Sequence, residues 1–140
     1  MDQSDEVRVL LIEDDGTLAQ MYRTKLERDG YTVQVAGDGE EALRLIAEHL
    51  PDLIFLDIRL PRMDGLTFLE RLRETDRTQN IPVVIVSNYS ERELVDRGYQ
   101  LGALDYLVKS QTTPGRLAAG VREWSRPYLY PGPRQNGNGT

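Results

Sequence analysis

The segment Pro51-Asp-Leu-Ile-Phe-Leu-Asp57 holds four consecutive apolar residues and ends at a carboxylate. A short apolar run without polar alternation is typical of a strand whose two faces are both covered, as in a parallel sheet. Runs of the same kind occur at residues 7–12, 32–36, 82–86 and 104–108. Together with residues 53–56, they predict five buried parallel strands.

Between these runs, apolar residues recur three or four positions apart, which is the spacing of one face of a helix. The members of the predicted faces are Leu18, Met21, Tyr22 and Leu26, then Ala42, Leu43, Ile46 and Ala47, then Leu66, Leu69 and Leu72, then Leu94, Val95 and Leu101, and last Leu117, Val121 and Trp124. Each face predicts one amphipathic helix after a strand.

Local motifs predict where some of these helices begin and end. The predicted starts are the capping boxes Asp38 with Glu41 and Ser90 with Glu93, and the pair Thr113 and Pro114. Gly30 and Gly102 stand where two helices are expected to end. Strand therefore alternates with helix, which predicts a doubly wound α/β sheet because such crossovers are right-handed.

The composition excludes several classes of function. The chain has 140 residues, a length typical of one domain, and a formal net charge of −6. An acidic chain without a basic stripe is not expected to bind nucleic acid directly. There is no cysteine, which excludes disulfides, thiolate metal sites and cysteine nucleophiles. No apolar run reaches the roughly 18 residues of a membrane span, so we expect no membrane insertion and a cytoplasmic location.

The two ends of the chain differ in composition from its middle. Residues 1–6 are polar and acidic, unlike a signal peptide. Residues 125–140 are rich in Pro, Gly and Asn and offer little apolar area to offset the entropy of ordering. The predicted organisation is an N-terminal tail at residues 1–6, a folded domain at 7–124, and a flexible tail or linker at 125–140.

Polar residues follow four of the predicted strands. Glu13 and Asp14 follow the first strand, Asp57 the third, Ser87 the fourth and Lys109 the fifth. One such residue alone is explained by a loop cap or a solvated charge. Because function in these sheets lies beyond the carboxyl ends of the strands, we expect all of them to converge on one rim.

Charge repulsion at that rim indicates a cation. Two carboxylates such as Asp14 and Asp57, a few ångströms apart, repel by about 3–4 kcal/mol at an effective dielectric of about 20. Mg²⁺ suits a site with few carboxylates and several waters. A phosphoryl group on Asp57 would be supported by the metal, the Lys109 ammonium and the Ser87 hydroxyl. Aspartate is an established nucleophile for covalent phosphoryl intermediates, so the sequence predicts Mg²⁺-dependent phosphorylation of Asp57.

These segments resemble the receiver domains of two-component response regulators, from residue 7 to about residue 124. The motifs are Val9-Leu-Leu-Ile-Glu-Asp-Asp15, residues 51–57, Leu60-Pro-Arg-Met-Asp-Gly65, Pro82-Val-Val-Ile-Val-Ser87 and Gly102-Ala-Leu-Asp-Tyr-Leu-Val-Lys109. Each motif is weak alone, but their order and spacing are specific. The resemblance implies a flavodoxin-like (βα)5 fold with a five-stranded parallel sheet in the order 2-1-3-4-5.

The resemblance also implies a role for each residue at the metal and phosphoryl site. Asp57 is the phosphoacceptor, and Lys109 pairs with the phosphoryl group. Asp14 and Asp57 bind Mg²⁺ directly, and the backbone carbonyl of Arg59 is the third protein ligand. Glu13 acts through a metal-bound water.

Further residues are implied to carry the switch and to shape its loop. Ser87 is the hydroxyl that follows the phosphoryl group, and Tyr106 is the switch aromatic. Asp15 lies one position past the usual acidic pair and is left outside the site. Pro61, which fixes φ, and Gly65, which allows positive φ, are expected to shape the loop after Asp57.

Three positions depart from the family pattern. Ser110 stands where a Pro commonly follows the Lys, which makes a cis bond there improbable. Asn88 is larger than the residue that usually follows the switch hydroxyl, and Leu104 replaces a polar residue. Two bulky residues beside the phosphoacceptor, Arg59 and Tyr89, predict a relatively long-lived phosphoryl group.

Three alternative functions stay open on the sequence. A phosphatase with an Asp nucleophile would need a carboxylate at position 59, where Arg59 cannot release a proton at neutral pH. A flavodoxin-like electron carrier would need a phosphate-binding loop after the first strand, where residues 13–15 would repel a phosphate. A pseudo-receiver that only binds partners would normally lose the acidic residues or the Lys, which this chain keeps.

The receiver interpretation implies specific partners. The phosphoryl donor would be a histidine kinase or a phosphotransfer protein, and the output would be contact with a downstream protein. We expect a stand-alone receiver or a piece that ends at a linker, catalysing only its own phosphorylation and dephosphorylation. The expected output surface combines the fourth helix, the last strand and the last helix.

Overall fold

The computed structural model describes residues 6–126, which alternate between strand and helix. The strands are β1 (Arg8–Ile12), β2 (Thr32–Ala36), β3 (Leu53–Leu56), β4 (Val83–Ser87) and β5 (Asp105–Val108). The helices are α1 (Gly16–Arg28), α2 (Gly39–Glu48), α3 (Gly65–Glu74), α4 (Arg92–Gln100) and α5 (Pro114–Trp124), with a 3₁₀ turn at Lys109–Gln111. Nearly all of both predicted tails lies outside the described residues, so the N-terminal tail and the flexible C-terminal tail or linker stay predictions.

The five strands form one parallel sheet in the order β2-β1-β3-β4-β5, which confirms the predicted fold. The predicted bounds of β1, β4 and β5 are wrong by one residue. Pro82 lies outside β4, since its carbonyl accepts a hydrogen bond from the Ile54 N–H at 2.9 Å but it has no N–H to donate. Ser87 instead belongs to the strand and pairs with Val108.

The sheet separates two apolar layers, because successive residues of a strand point to opposite faces. In β3, Leu53 and Phe55 pack with α1 and α5, whereas Ile54 and Leu56 pack with the α2 and α3 side. Trp124 of α5 lies fully buried against Phe55, edge to face, with ring centroids 5.7 Å apart. The central strand is therefore covered on both faces, as its unbroken apolar run predicts.

The helix starts agree with the local motifs except at α4. Asp38 accepts a hydrogen bond from the Glu41 N–H at 2.8 Å, and Thr113 accepts one from the Arg116 N–H. The predicted capping box at Ser90 is wrong, since α4 begins one residue later than that box requires and its N-cap residue, Glu91, makes no side-chain cap bond.

Two helix ends and one helix face complete the fold. Gly30 and Gly102 have φ of 98° and 87°, the left-handed conformation expected at helix ends. The prediction that Met21 and Ala47 face the core is wrong, because both are exposed. The adjacent residues Tyr22 and Ile46 occupy the inward positions instead. No helix in the described part of the chain is long and apolar enough to cross a membrane.

Candidate functional site

The carboxyl ends of β1, β3 and β5 bring the predicted charged residues together. Lys109 Nζ lies 2.7 Å from Glu13 Oε1 and 2.6 Å from Asp57 Oδ2, and all three side chains are largely buried. Glu13 follows β1, Asp57 follows β3, and Lys109 follows β5. Strands β1 and β3 lie on one side of β4 in the sheet, and β5 lies on the other. The sheet order therefore assembles a buried lysine between two carboxylates.

Burial and hydrogen bonding shift the pKa values in this cluster. Burial by itself lowers the pKa of Lys109, but the hydrogen bonds to Asp57 and Glu13 outweigh it and hold that pKa above its ordinary value. Burial raises the pKa of the Glu13 carboxyl, and the hydrogen bond from Lys109 offsets only part of that rise. The lysine is thus held as an ammonium, whereas Glu13 carries a charge that its surroundings do not fully compensate.

The same rim has the donor set of a hard cation site. Carboxylate oxygens of Glu13, Asp14 and Asp57 lie within 4.8 Å of one another. At that separation two charges repel by about 3.5 kcal/mol at an effective dielectric of about 20. Asp57 Oδ1 is buried and has no hydrogen-bond partner among the described residues. An unpaired buried oxygen beside two more carboxylates fits a divalent cation such as Mg²⁺.

The loop from Ile58 to Asp64 is shaped differently from the prediction. Gly65 does not have a positive φ; it is required because a Cβ there would lie 2.2 Å from the Asp57 carbonyl oxygen. The left-handed residue is Arg62, with φ of 65°, and its Nε donates to Asp38 Oδ2 at 2.9 Å. This ion pair ties the loop to the start of α2, a link that no motif predicted.

Arg59, in the loop after β3, contacts Tyr89, in the loop after β4. Arg59 is the second residue after Asp57, and its guanidinium carbon stands 4.3 Å from the centre of the Tyr89 ring. Such a cation–π pair holds two bulky groups in place at the rim. The metal-ligand role of the Arg59 carbonyl stays a prediction.

Ser87 and Tyr106 meet at the loop after β4. Ser87 is fully buried, and its Oγ accepts a hydrogen bond from the Tyr89 N–H at 3.1 Å. The hydroxyl of half-buried Tyr106 donates to the Tyr89 carbonyl. Burial raises the pKa of that hydroxyl, so it stays a neutral donor. Both predicted switch residues therefore contact the backbone of one residue, Tyr89.

Two departures from the family pattern are in contact, and one acidic residue is structural. Asn88 Oδ1 accepts a hydrogen bond from the Ser110 N–H at 2.7 Å. The Lys109–Ser110 bond is trans, as are all peptide bonds among the described residues.

Asp15 caps α1 by accepting from the Leu18 N–H at 3.1 Å, in line with its exclusion from the site.

The chain is similar to proteins of one family. A model described as response regulator receiver domain matches residues 9–122. The DNA-binding dual master transcriptional regulator RpaA of Synechocystis is 40% identical over 102 residues, which cover 73% of this chain and 42% of that protein. The transcriptional regulatory protein PdtaR of Mycobacterium tuberculosis is 38% identical over 103 residues, covering 73% and 49%. The chain thus spans about half the length, or less, of these curated relatives.

Two solved structures give the same result for the fold. The receiver domain of the Francisella response regulator 1452 is similar with a TM-score of 0.79 and 34% identity, covering 88% of this chain and 99% of that one. The chemotaxis protein CheY4 of Vibrio cholerae is similar with a TM-score of 0.78 and 28% identity, covering 85% and 98%. Both likenesses extend over almost the whole of the described residues.

Proposed function

The chain belongs to the response regulator receiver domains, and we propose that it is a signalling switch that accepts a phosphoryl group on Asp57. The observation that carries this proposal is the state of the Asp57 carboxylate. It is buried at the rim of the sheet, one oxygen is held by Lys109 at 2.6 Å, and the other has no partner among the described residues. A buried carboxylate with one unoccupied oxygen suits a nucleophile that also binds a metal.

The residues of the rim divide the chemistry among them. An Asp57 oxygen forms the new bond to phosphorus, while the bond from phosphorus to the donor breaks and its electron pair leaves with the donor. Asp14, Asp57 and the Arg59 carbonyl would hold Mg²⁺ directly, and Glu13 would hold it through a water. The bound ion supplies positive charge to the phosphoryl oxygens.

Lys109 supports both states of the acceptor. Before transfer, its ammonium neutralises Asp57 and Glu13, to which it donates. Once an Asp57 oxygen is bonded to phosphorus as an acyl phosphate, that carboxylate loses its charge, and the ammonium then pairs with a phosphoryl oxygen. The raised pKa of Lys109 keeps it charged throughout the physiological range.

The signal passes from the phosphoryl group through Ser87 to Tyr106. The Ser87 hydroxyl can turn its hydrogen towards a phosphoryl oxygen while its own oxygen contacts the Tyr89 N–H. The Tyr106 hydroxyl donates to the carbonyl of the same Tyr89, so a shift of this loop changes the orientation of the Tyr106 ring. Phosphorylation then biases a two-state equilibrium, and a shift from 1:99 to 99:1 needs about 5.5 kcal/mol.

The partners follow from this chemistry. A histidine kinase or a phosphotransfer protein would supply the phosphoryl group, and a downstream protein would bind the surface of α4, β5 and α5. The net charge of −6 supports a protein target over nucleic acid. The switch would catalyse only its own phosphorylation and dephosphorylation, in the cytoplasm.

Acetyl phosphate tests the proposed function directly. With Mg²⁺ or Mn²⁺, intact-mass measurement should show one added phosphoryl group on the wild-type protein. Asp57→Asn should remain unlabelled, and excess chelator should abolish labelling of the wild type. Asp52→Asn is the matched control, because Asp52 is an exposed carboxylate at the opposite end of β3. Equal labelling of Asp57→Asn would refute the assignment, and turnover of phosphomonoesters would favour the phosphatase.

A further inference from the structure

The β4–β5 ladder stops one residue before Lys109. Its last register pair is Ser87 with Val108, so Asn88 and Lys109 lie just beyond the end of the sheet. The backbone leaves the extended conformation there, since Lys109 begins the 3₁₀ turn. The ladder therefore fixes the position of Val108 but does not fix the direction in which Lys109 departs.

Hydrogen bonds outside the ladder hold this turn, two of them made by side chains. Asn88 Oδ1 accepts from the Ser110 N–H at 2.7 Å, which is a normal hydrogen-bond length. On the other side, Thr112 donates its N–H to the Lys109 carbonyl at 3.1 Å and its hydroxyl to the Val108 carbonyl at 2.7 Å. Lys109 thus lies between Val108 and Ser110, which are both held by hydrogen bonds, and the bond to Ser110 comes from Asn88, the first residue after β4.

We propose that Asn88 is a positioning residue that directs Lys109 at Asp57 through the Ser110 N–H, an inference that rests on the proposed function. Lys109 has a flexible four-carbon stem, so the direction of its backbone decides whether the ammonium reaches the rim. Its Nζ contacts two carboxylates at 2.6 and 2.7 Å, distances that a small displacement of the turn would lengthen. Asn88 itself touches neither carboxylate in any contact that the structure shows.

The position of Asn88 adds a second consequence. It is bonded covalently to Ser87 and by hydrogen bond to the turn that carries Lys109. These are the two side chains that would contact the phosphoryl oxygens. Asn88 therefore joins the switch hydroxyl and the catalytic ammonium into one unit, so that they reach the phosphoryl group together.

Three substitutions separate the effect of the Asn88–Ser110 hydrogen bond from the effects of the size and charge of residue 88 and of the Ser110 side chain. Asn88→Leu removes the acceptor and keeps the branched shape of a side chain that is no smaller, so access to Asp57 is not widened. Asn88→Asp keeps an acceptor at the same place and is the conservative rescue, measured at high ionic strength to screen its charge. Ser110→Ala keeps the backbone N–H and is the matched control. Asn88 and Ser110 are both exposed, so all three variants should fold.

Three measurements are made on each full-length variant. Hydrogen exchange of the Ser110 amide is followed in the unphosphorylated, Mg²⁺-free protein. The Mg²⁺ dissociation constant is taken from an NMR titration. The rate constant of phosphorylation by acetyl phosphate is taken at saturating Mg²⁺.

Loss of one hydrogen bond predicts a specific combination of results. In Asn88→Leu, the Ser110 amide should exchange about tenfold faster and phosphorylation should slow about five- to tenfold, the range of one net hydrogen bond. Its Mg²⁺ dissociation constant should stay within about twofold of the wild-type value, because Asn88 positions the lysine and not the metal ligands. Asn88→Asp and Ser110→Ala should behave as the wild type in all three measurements.

The outcomes distinguish this inference from the proposed function. A wild-type protein that is not phosphorylated overturns the proposed function and this inference with it. Wild-type phosphorylation together with a normal rate in Asn88→Leu overturns the positioning role alone. Unchanged exchange of the Ser110 amide in that variant, or an equal slowing in Ser110→Ala, does so as well.

Discussion

Helices α3 and α4 follow neighbouring strands, yet the two are held in opposite ways. Asp64 caps α3 by accepting from the Thr67 N–H at 2.9 Å, and Phe68, Leu69 and Leu72 of α3 are fully buried. Helix α4 has no side-chain cap hydrogen bond, and its one buried residue is Gly98. Helix α3 is thus anchored at its start and along its buried face, whereas α4 is anchored weakly at its start.

The end of α4 is held more firmly than its beginning. Arg73 of α3 donates to the Leu101 carbonyl at 2.7 Å and to the Ile81 carbonyl at 2.8 Å. A cation at a helix C-terminus is favoured by the helix dipole. Because α4 is held at its end and uncapped at its start, we expect the start of this helix to pivot while the rim that holds Asp57 stays in place. The contrast suits a switch whose chemistry requires fixed geometry and whose output requires movement.

The largest expected difference between the two helices is in stability. Phe68→Ala should lower the free energy of unfolding by about 3–5 kcal/mol, because it leaves a cavity in a fully buried layer. Leu94→Ala, at a half-buried position of α4, should cost about 1 kcal/mol. Urea unfolding measures both values. Equal losses would break the contrast between an anchored α3 and a loosely held α4.

Ser87→Ala should separate the anchored rim from the movable helix. In the wild type, beryllofluoride, which mimics the phosphoryl group, should produce NMR shifts from Asp57 through Ser87 and Tyr106 into α4. In Ser87→Ala the shifts should stay near Asp57, since the hydroxyl that follows the ligand is missing, while the affinity for beryllofluoride changes little. Shifts that spread into α4 as in the wild type would refute the route through Ser87.

Glu13→Gln tests how much stability the rim gives up for its function. Because burial raises the Glu13 pKa, the folded state favours the neutral carboxyl over the charged one. At pH 7 without Mg²⁺, the free energy of unfolding of the variant should therefore be about 1 kcal/mol higher than that of the wild type. This advantage should vanish as the pH falls through the raised pKa, where wild-type Glu13 takes up its proton. Mg²⁺ should stabilise the wild type more than the variant. The exposed control Glu48→Gln should change stability by less than about 0.5 kcal/mol.

A cap added to α4 should reduce the difference between the helices. Glu91→Ser places a hydroxyl at the N-cap position, where a side-chain acceptor contributes about 0.5–2 kcal/mol. We expect a gain in stability of about 1 kcal/mol and smaller beryllofluoride shifts in α4. Glu93→Ser removes the same charge inside the first turn without adding a cap, and it should show neither effect. A gain in stability with undiminished shifts would mean that α4 does not pivot at its start.

Tyr89→Ala, in the loop between β4 and α4, should give the smallest effect. The Arg59 guanidinium stacks on the Tyr89 ring between the loops that follow β3 and β4. We expect this pair to restrict the approach of water to a phosphoryl group on Asp57. Its loss should shorten the half-life of the aspartyl-phosphate about two- to fivefold, followed by intact mass after removal of the donor. Met21→Ala, at an exposed residue of α1, should leave the half-life unchanged. An unchanged or longer half-life in Tyr89→Ala would remove this residue from the account.

Local patterns predicted those parts of the fold that depend on near neighbours in the chain. The cap at Asp38 needs only the Glu41 amide three residues on, and the unbroken run of β3 needs only two covered faces. The cap predicted at Ser90 was wrong because α4 begins at Arg92, one residue later than that motif requires. Met21 failed because the spacing of apolar residues does not say which edge of a helix face meets the sheet.

The sequence by itself determined that strands and helices alternate and that Glu13, Asp14, Asp57 and Lys109 follow strand ends, because these features are periodic or adjacent in the chain. Only the tertiary structure decided that a buried lysine bridges two carboxylates, or that Asn88 holds the Ser110 amide at 2.7 Å. Those contacts join residues far apart in sequence, and their distances depend on strand order, register and the direction of each loop. No short-range pattern specifies these quantities.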